Sequence, residues 1–216
     1  MTVPAETGAR RQPLVLEGRH VRLEPLTPSH ASALWAAARG PRESYVFTTV
    51  PEDEAGAARY IETALHDQDA GRSLPFATIA RSTGRVVGST RFLNIEFWTW
   101  PPGHALQRGL DVPDVVEIGA TWLAADAQRT AINTEAKLLM LTHAFETWRV
   151  HRVSLMTDAR NQRSRNAILR LGAQFDGVIR AARPAADWTI RDTAAFSILE
   201  SEWPMVKGKL CARVNQ

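Results

Sequence analysis

The chain has 216 residues, of which 44% are hydrophobic and 23% are charged, and its net charge is +3. This length suits one well-buried α/β domain, and the composition is ordinary for a soluble globular protein. No apolar run approaches the roughly 20 residues of a transmembrane helix, so we expect no membrane association. The single cysteine, Cys211, excludes an intrachain disulfide and a cysteine-rich zinc site, and it favours a reducing cytoplasm.

Charge is unevenly distributed along the chain. Arg149 to Arg170 contains six arginines and one aspartate, whereas Arg42 to Asp69 contains seven acidic residues and two arginines. The first segment suits an anionic ligand and the second a cationic one. Both segments could instead be solvated helix faces, and charge alone favours that interpretation.

The first third of the chain predicts a strand followed by two helices. Residues 1–13 lack the apolar core of a secretory signal, and we expect them to be disordered. Residues 15–26 predict a half-buried strand, because apolar and polar residues alternate in their second half. Capping residues and helix-ending glycines predict helices at 30–39 and 52–70.

A β-hairpin and a long loop follow. Residues 74–81 and 86–95 predict its two strands, joined by a turn at 82–85. Residues 96–114 contain three prolines, two glycines and two tryptophans without a period. Long loops inside compact domains are often functional, so this one is predicted to form a wall of a substrate pocket. The alternative is a surface excursion whose tryptophans cover the sheet.

The stretch Val115 to Trp148 reads as an apolar strand, a short polar loop and a long, mostly apolar helix. Such a junction forms an anion site, because the first helical N–H groups have no internal partners and the helix dipole favours negative charge there. We therefore predict a strand at 115–123 and a bound phosphate at Gln128 to Thr134.

The last third of the chain completes one domain. Three more strands are predicted at 152–158, 175–181 and 193–199, and one helix is predicted at 162–171. From Glu202 onward we expect a polar tail. The order of elements implies an α/β domain at 14–206, with a mixed sheet and helices on both faces, followed by a tail at 207–216.

Four phrases resemble the GNAT superfamily of acyl-CoA-dependent N-acyltransferases. They are EIGATWL, QRTAINTEA, TDARNQRSRNAILRLGA and DTAAFSILESEWP. The sequence is most similar to the ribosomal-protein N-terminal acetyltransferase branch (RimJ/RimL-like). The first strand of that branch resembles the segment LEGRHVRLEPL of this chain. The resemblance covers residues 14–206. It implies a single GNAT domain with a mixed, mostly antiparallel sheet of six or seven strands and a splayed central strand pair.

The same resemblance implies acetyl-CoA as co-substrate. Its pantetheine arm would fill the gap between strands 115–123 and 152–158, whose separated backbone groups would otherwise lack partners. The backbone near three residues would bind this arm: Thr121, Trp122 and Leu123. The pyrophosphate would lie on the following loop, with the Arg149–Arg170 segment beside it; the loop comprises Gln128, Arg129, Thr130, Ala131, Ile132, Asn133 and Thr134.

This loop departs from the family pattern Gln/Arg-x-x-Gly-x-Gly/Ala, because Ala131 and Asn133 replace the two expected small residues. Glycine permits a positive φ and a close approach of phosphate to the backbone. Ala131 is the mildest replacement if its φ is negative, and Asn133 could donate a hydrogen bond. Arg129 could meet a phosphate directly or could be a solvated loop residue.

Acetyl transfer to an amine needs a neutral amine, a polarised thioester carbonyl and a stabilised thiolate. Because Cys211 lies in the predicted tail, we expect direct attack in a ternary complex. An α-amine has a pKa of roughly 8 and a lysine amine about 10.4, so an N-terminal acceptor needs only a modest base. The resemblance implies that Glu117 is this base, acting through water. The alternative is a carboxylate paired with an arginine.

Ser164 and Asn161 are the predicted residues on the thioester side. By resemblance to the NxxS phrase of Rim-type enzymes, Asn161 would bind pantetheine or the acyl region, and Ser164 would donate to the leaving thiolate. Asn161 could also cap a helix. The tyrosine that many GNAT enzymes use for this step is missing, since Tyr45 and Tyr60 both lie in the N-terminal helical region.

The acceptor pocket is predicted from Asn94 and Trp98, together with Glu117, with core packing as the alternative for the first two. The acidic segment Glu43–Glu62 would border this pocket and attract a cationic amine. His104 could act as a base, although a histidine beside prolines is more often a surface residue. The histidines show no metal-ligand spacing, so we predict no metal.

The predicted function is acetyl transfer from acetyl-CoA to a primary amine, in particular a protein N-terminus. A small amine, an amine antibiotic and a succinyl donor remain open. A non-catalytic sensor that binds coenzyme A is a second class. An RNA-associated protein is a third, suggested by a pI near 9.5, but the Arg149–Arg170 segment contains no stacking aromatics and we expect no nucleic-acid partner. We expect a monomer or a homodimer.

Overall fold

The computed structural model describes residues 14–215; the prediction that residues 1–13 are disordered lies outside this range. It contains eight strands: β1 Leu16–Glu17, β2 Val21–Pro25, β3 Ser73–Ala80, β4 Arg85–Glu96, β5 Val115–Leu123, β6 Arg152–Asp158, β7 Gln174–Pro184 and β8 Ile190–Leu199. They form one sheet in the order β1-β2-β3-β4-β5-β6-β8-β7. The pair β5–β6 is parallel, and the other neighbouring pairs are antiparallel.

The mixed, mostly antiparallel sheet is confirmed, with one strand more than the upper count predicted. The chain turns between Gly18 and His20, so the predicted strand 15–26 is divided into β1 and β2, which pair with each other. Glu135 fixes this turn, because its carboxylate accepts hydrogen bonds from the backbone N–H groups of Arg19 (2.8 Å), His20 (2.6 Å) and Val21 (2.8 Å).

Helices cover both faces of the sheet. They are α1 Ala31–Ala38, α2 Glu54–Asp69, α3 Ala131–Thr142, α4 Gln162–Leu171 and α5 Trp203–Val214. One hydrophobic core joins the sheet to α1 and α2 through residues such as Leu34, Ile61 and Trp122. A second joins the opposite face to α3, α4 and α5 through residues such as Phe92 and Met140. The sheet is therefore the middle of three layers.

The prediction of a polar tail from Glu202 onward is wrong, because this segment forms α5. Trp203, Val206, Leu210 and Val214 are spaced to lie on one side of a helix, and all four are buried. The Trp203 indole stacks on Phe145 at 5.3 Å between ring centroids. The helix was hidden in the sequence by the lysines and glycine between these apolar positions.

The long helix predicted up to Trp148 is present, and one other element is longer than predicted. The helix that begins with α3 continues through a π-helical segment, His143–Trp148, and ends where Arg149 adopts a left-handed conformation with φ +57°. The hairpin of β7 and β8 extends to Pro184 and Ile190, so four of the nine residues expected in a loop at 184–192 belong to the strands, and the loop is shortened to 185–189. Within residues 14–215, no helix has the length and apolar character needed to cross a membrane.

Candidate active site

The two parallel strands separate after three paired positions. Val115, Val116 and Glu117 of β5 pair with Arg152, Val153 and Ser154 of β6, and both strands then continue without pairing to each other. A bulge lies in β5 beyond this point, where Ala120 has a φ of +46°. The predicted splayed pair is therefore present, and β5 has backbone groups on its β6 side that the ladder does not use.

The loop from β5 to α3 is shaped by Arg129 and Thr130. Arg129 has a φ of +61°, and Thr130 caps α3, with its hydroxyl accepting from the Ile132 N–H at 3.3 Å. Neither Ala131 nor Asn133 has a positive φ. The left-handed position of the loop thus falls on Arg129, which explains how the loop folds without glycines at 131 and 133.

A cleft of about 280 Å³ lies beside this loop. It is lined by residues from three segments: Pro41, Glu43, Ser44, Ala125, Gln128, Arg129 and Arg163. Gln128 ties the segments together, because its Nε2 donates to Ser44 Oγ (3.0 Å) and to the Leu123 carbonyl (2.9 Å), while its Oε1 accepts from Arg163 Nη2 (3.3 Å). Two arginines and a helix start make this cleft suitable for an anion.

The Arg149–Arg170 segment does not form one basic patch. Arg163 lines the cleft. Arg160 is instead paired with Asp158 at 2.8 Å and Asp187 at 2.9 Å, which link β6 to the β7–β8 loop. Arg165 lies over the Phe175 ring, 5.6 Å from its centroid. Two of the six arginines in the segment, Arg160 and Arg165, are therefore used in structural contacts.

Glu117 is buried at the last paired position of β5, and 4% of its surface is exposed. Its Oε2 accepts a hydrogen bond of 2.7 Å from Asn94 Nδ2, and Asn94 lies at an irregularity of β4 with a φ of +45°. Burial raises the pKa of Glu117, while Asn94 and the more distant Arg183 and Arg191 oppose the increase. No ion pair within 4.0 Å involves Glu117 in the described part of the chain.

Asn161 caps α4, with its Oδ1 accepting from the Ser164 N–H at 3.0 Å. This confirms the structural role considered for Asn161. Ser164 lies in the first turn of α4 and is half-buried. Because α4 follows β6 after a short turn, Ser164 lies near the end of β6 that has separated from β5.

The long loop before β5 is organised by the buried carboxylate of Asp114. It accepts from the Trp98 backbone N–H and from Trp100 Nε1, each at 2.7 Å. The rings of Trp98 and His151 stack with centroids 5.7 Å apart, and those of Trp100 and His104 stack at 4.8 Å. Trp98 and His104 therefore belong to one aromatic cluster.

Two groups near the site were not identified from the sequence. The Tyr45 hydroxyl donates to the Leu123 carbonyl at 2.8 Å, so this tyrosine reaches the end of β5 despite its distance in the chain. Lys137 of α3 is buried, and its Nζ donates to the hydroxyls of Thr90 (3.0 Å) and Thr121 (2.6 Å). A lysine inside the apolar phrase EAKLLML was the available signal for the second group.

Among residues 14–215, no group of three or more histidine, cysteine, aspartate or glutamate side chains is arranged to hold a metal ion.

Comparisons with known proteins agree with this geometry. Residues 20–174 match a family described as the Acetyltransferase (GNAT) domain. A GCN5-related N-acetyltransferase from Brucella melitensis is 28% identical, with a TM-score of 0.78, over 95% of this chain and 87% of that one. A protein from T. thermophilus described as an acetyltransferase is 33% identical, with a TM-score of 0.74, over 93% and 97%.

A third structure shares the fold at lower identity. RimJ of Mycobacterium smegmatis, solved with CoA-disulfide, is 19% identical, with a TM-score of 0.74, over 94% of this chain and 95% of that one. No curated protein sequence matches the chain. Because the family match covers more than half of the sequence and the splayed sheet is present, the chain belongs to the GNAT acetyltransferase family.

Proposed function

We propose that this protein transfers an acetyl group from acetyl-CoA to a primary amine, in particular the α-amine of a protein or peptide, by direct attack in a ternary complex. One observation carries the proposal: the buried carboxylate of Glu117 lies where the pairing of β5 and β6 stops. An acid is thus held at the start of the gap that the coenzyme would enter.

The coenzyme would be bound by main chain along β5 and by the loop that follows it. Backbone groups at Thr121, Trp122 and Leu123 lie in the part of β5 that no longer pairs with β6, where an amide-rich arm can bind the groups that face the gap. The Leu123 carbonyl already accepts from Tyr45 and Gln128, which fixes this end of the strand. The RimJ structure was solved with CoA-disulfide, which supports the coenzyme assignment.

The pyrophosphate would lie at residues 128–134, beside Arg129 and Arg163. Both arginines line the cleft at the start of α3, so charge-assisted hydrogen bonds can add to the N–H groups of the first helical turn. Glu43 lines the same cleft and opposes an anion. The net charge of these three side chains is positive, which favours the phosphate group.

Glu117 would accept the proton of the attacking amine through water, with Asn94 orienting the carboxylate. Burial makes Glu117 a stronger base than an exposed carboxylate, because it raises the pKa. At neutral pH, deprotonation of a lysine amine requires about 3 kcal/mol more than deprotonation of an α-amine. A modest base acting through water therefore fits an N-terminal acceptor better than a lysine.

Ser164 would donate a proton or a hydrogen bond to the departing thiolate. Its position near the separated end of β6 supports this role. The Tyr45 hydroxyl is already used, because it donates to the Leu123 carbonyl. Trp98 remains an acceptor-pocket candidate by its exposed indole.

The proposal is tested by following thiol release from acetyl-CoA with a panel of N-terminal peptides, lysine peptides, polyamines and aminoglycosides. Glu117→Gln and Ser164→Ala should each slow acetylation, whereas the exposed controls Glu62→Gln and Ser82→Ala should not. Failure to bind acetyl-CoA would contradict the proposal. Binding without turnover on any amine would instead indicate a coenzyme A sensor.

A further inference from the structure

One face of the sheet beside Glu117 carries arginines without acidic partners. Residues that pair across strands project from the same face, and so do alternate residues along one strand. Glu117 pairs with Ser154, and Ser154 pairs with Ser197 of β8. Arg191 is six residues before Ser197 on the same strand, so Arg191 and Glu117 share a face. Arg191 is also close enough to Glu117 to lower the pKa of that carboxyl.

A second arginine lies directly opposite Arg191. The register of the β7–β8 hairpin pairs Arg183 with Arg191. Like charges at facing positions of an antiparallel pair repel each other. Burial lowers the pKa of Arg191, and the proximity of the Arg183 charge adds to this effect. An anion bound between them would relieve this repulsion.

Arg191 has buried donor nitrogens that are available to a ligand. Its Nε and Nη2 are buried without a hydrogen-bond partner in the described part of the chain. Neither arginine makes an ion pair within 4.0 Å there, and the nearby Asp158 is already paired with Arg160 at 2.8 Å. Buried guanidinium donors without partners are uncommon, and at a substrate site they are a sign that a ligand supplies the acceptor.

We propose that the acceptor carries an anionic group, a carboxylate or a phosphate, close to its amine, and that Arg183 and Arg191 bind this group while the amine faces Glu117. The inference rests on the proposed function and specifies its substrate class. It replaces the expectation that the acidic segment selects a cationic amine. The acids of α2, such as Glu54 and Glu62, are exposed, whereas the two arginines share the sheet face of the buried base.

An anion at this position would also help catalysis. Arg183 and Arg191 lower the pKa of Glu117 by their charge. A bound carboxylate or phosphate would cancel part of that effect and leave Glu117 a stronger base when the correct acceptor is present. An acceptor without the anion would bind beside two unneutralised guanidinium groups and a weaker base. We therefore expect acceptors with the anionic group to have a lower KM and a higher kcat than acceptors without it.

The test uses pairs of acceptors that differ in one charge. Short peptides with Asp or Asn, and with Glu or Gln, at the second residue present the same α-amine with and without a carboxylate. A small-molecule arm compares β-alanine with β-alaninamide, and phosphoethanolamine with ethanolamine, at equal concentrations of neutral amine. We expect kcat/KM to be at least about tenfold higher for the anionic member of the favoured arm. A preference shown only by the peptide pairs identifies the acceptor as a peptide, and one shown only by the small-molecule pairs identifies it as a small molecule.

Three variants assign the preference to the hairpin. Arg191→Gln and Arg183→Gln should reduce the ratio of anionic to neutral kcat/KM to near one. Arg180→Gln, an exposed position of the same strand, removes the same charge and should keep the wild-type ratio. Arg183 is exposed, so its variant keeps the test valid if Arg191→Gln does not fold.

Binding of each acceptor pair is measured by calorimetry in the presence of coenzyme A, separately from turnover. Equal affinity and equal kcat/KM for both members would overturn the inference while leaving the acetyltransferase proposal intact. Tighter binding of the anionic members without any acetylation would overturn the proposed function and support the arginine site. A preference that survives in both arginine variants would also overturn the inference.

Discussion

Replacing Lys137 with methionine should make the stability of the protein less dependent on pH. Lys137 is buried, with 4% of its surface exposed, and its ammonium donates to Thr90 and Thr121 without a carboxylate partner. Methionine has a similar length and no charge. The Thr90 and Thr121 hydroxyls lie 2.8 Å apart, so they can remain hydrogen-bonded to each other in the variant.

The size of the effect follows from the pKa of Lys137, which burial lowers from 10.5 to about 7. Between these two values the unfolded chain binds one proton that the folded chain does not. Wild-type stability therefore rises with pH in this window, by about 1.4 kcal/mol per pH unit. The rise amounts to about 2.5 kcal/mol between about pH 6 and about pH 9. Below the folded pKa, both states are protonated and the full cost of burying the cation remains.

The measurement is urea denaturation of wild type and Lys137→Met at several pH values. The difference in unfolding free energy between the two proteins cancels the titration of the other groups. We expect the difference to favour the variant most at about pH 6 and to fall by about 2.5 kcal/mol towards about pH 9. Lys209→Met, at an exposed position of α5, should show no such change. A pH-independent difference for Lys137→Met would refute the reasoning.

Three further predictions concern single residues. Glu117→Gln should lower kcat by about 100-fold. Because burial raises the pKa of Glu117, the acidic limb of the wild-type pH–rate profile should lie at a higher pH than the limb of an ordinary carboxyl. An acidic limb at the pH of an ordinary carboxyl would argue against this base. Glu135→Gln should destabilise the fold by about 2 kcal/mol in denaturation experiments, because a neutral amide replaces an acceptor of three N–H groups, whereas exposed Glu62→Gln should have little effect. Arg129→Gly should stabilise the free protein by about 1 kcal/mol, since φ is +61° there. The same change should weaken acetyl-CoA binding about tenfold in calorimetry, and unchanged affinity would place Arg129 in solvent.

The strands around the site could be predicted because their patterns are local. The apolar run of β5, the polar loop after it and the Asn161 cap are each encoded within a few residues. The separation of β5 from β6 depends on a bulge at Ala120, a residue type that gives no sign of a positive φ. The gap was therefore implied by family resemblance, and the sequence pattern alone did not reveal it.

The contacts that complete the site are between segments distant in the chain, and no local pattern encodes them. Asp114 meets Trp98 and Trp100 only after the long loop has folded back, and Tyr45 meets Leu123 across 78 positions. Even α5 had a helical spacing of apolar residues, but its packing partner Phe145 lies on a different helix segment. Packing between distant segments thus determines features of the site that no single segment of the sequence predicts.

Buried charged groups without an oppositely charged partner lie on both faces of the sheet in the described part of the chain. Lys137 is buried on the α3 face next to Thr121, while Glu117 and two guanidinium nitrogens of Arg191 are buried on the α1–α2 face. Burying each of these charged groups lowers the stability of the fold. If the positions were selected for packing alone, apolar residues of similar size would be tolerated there. Glu117 lies at the last paired position of β5 and β6, and Lys137 donates to Thr121 in the part of β5 beyond it. Groups that cost stability and cluster at one place are expected where ligands bind, which is why the base and the anion site are proposed on the same face.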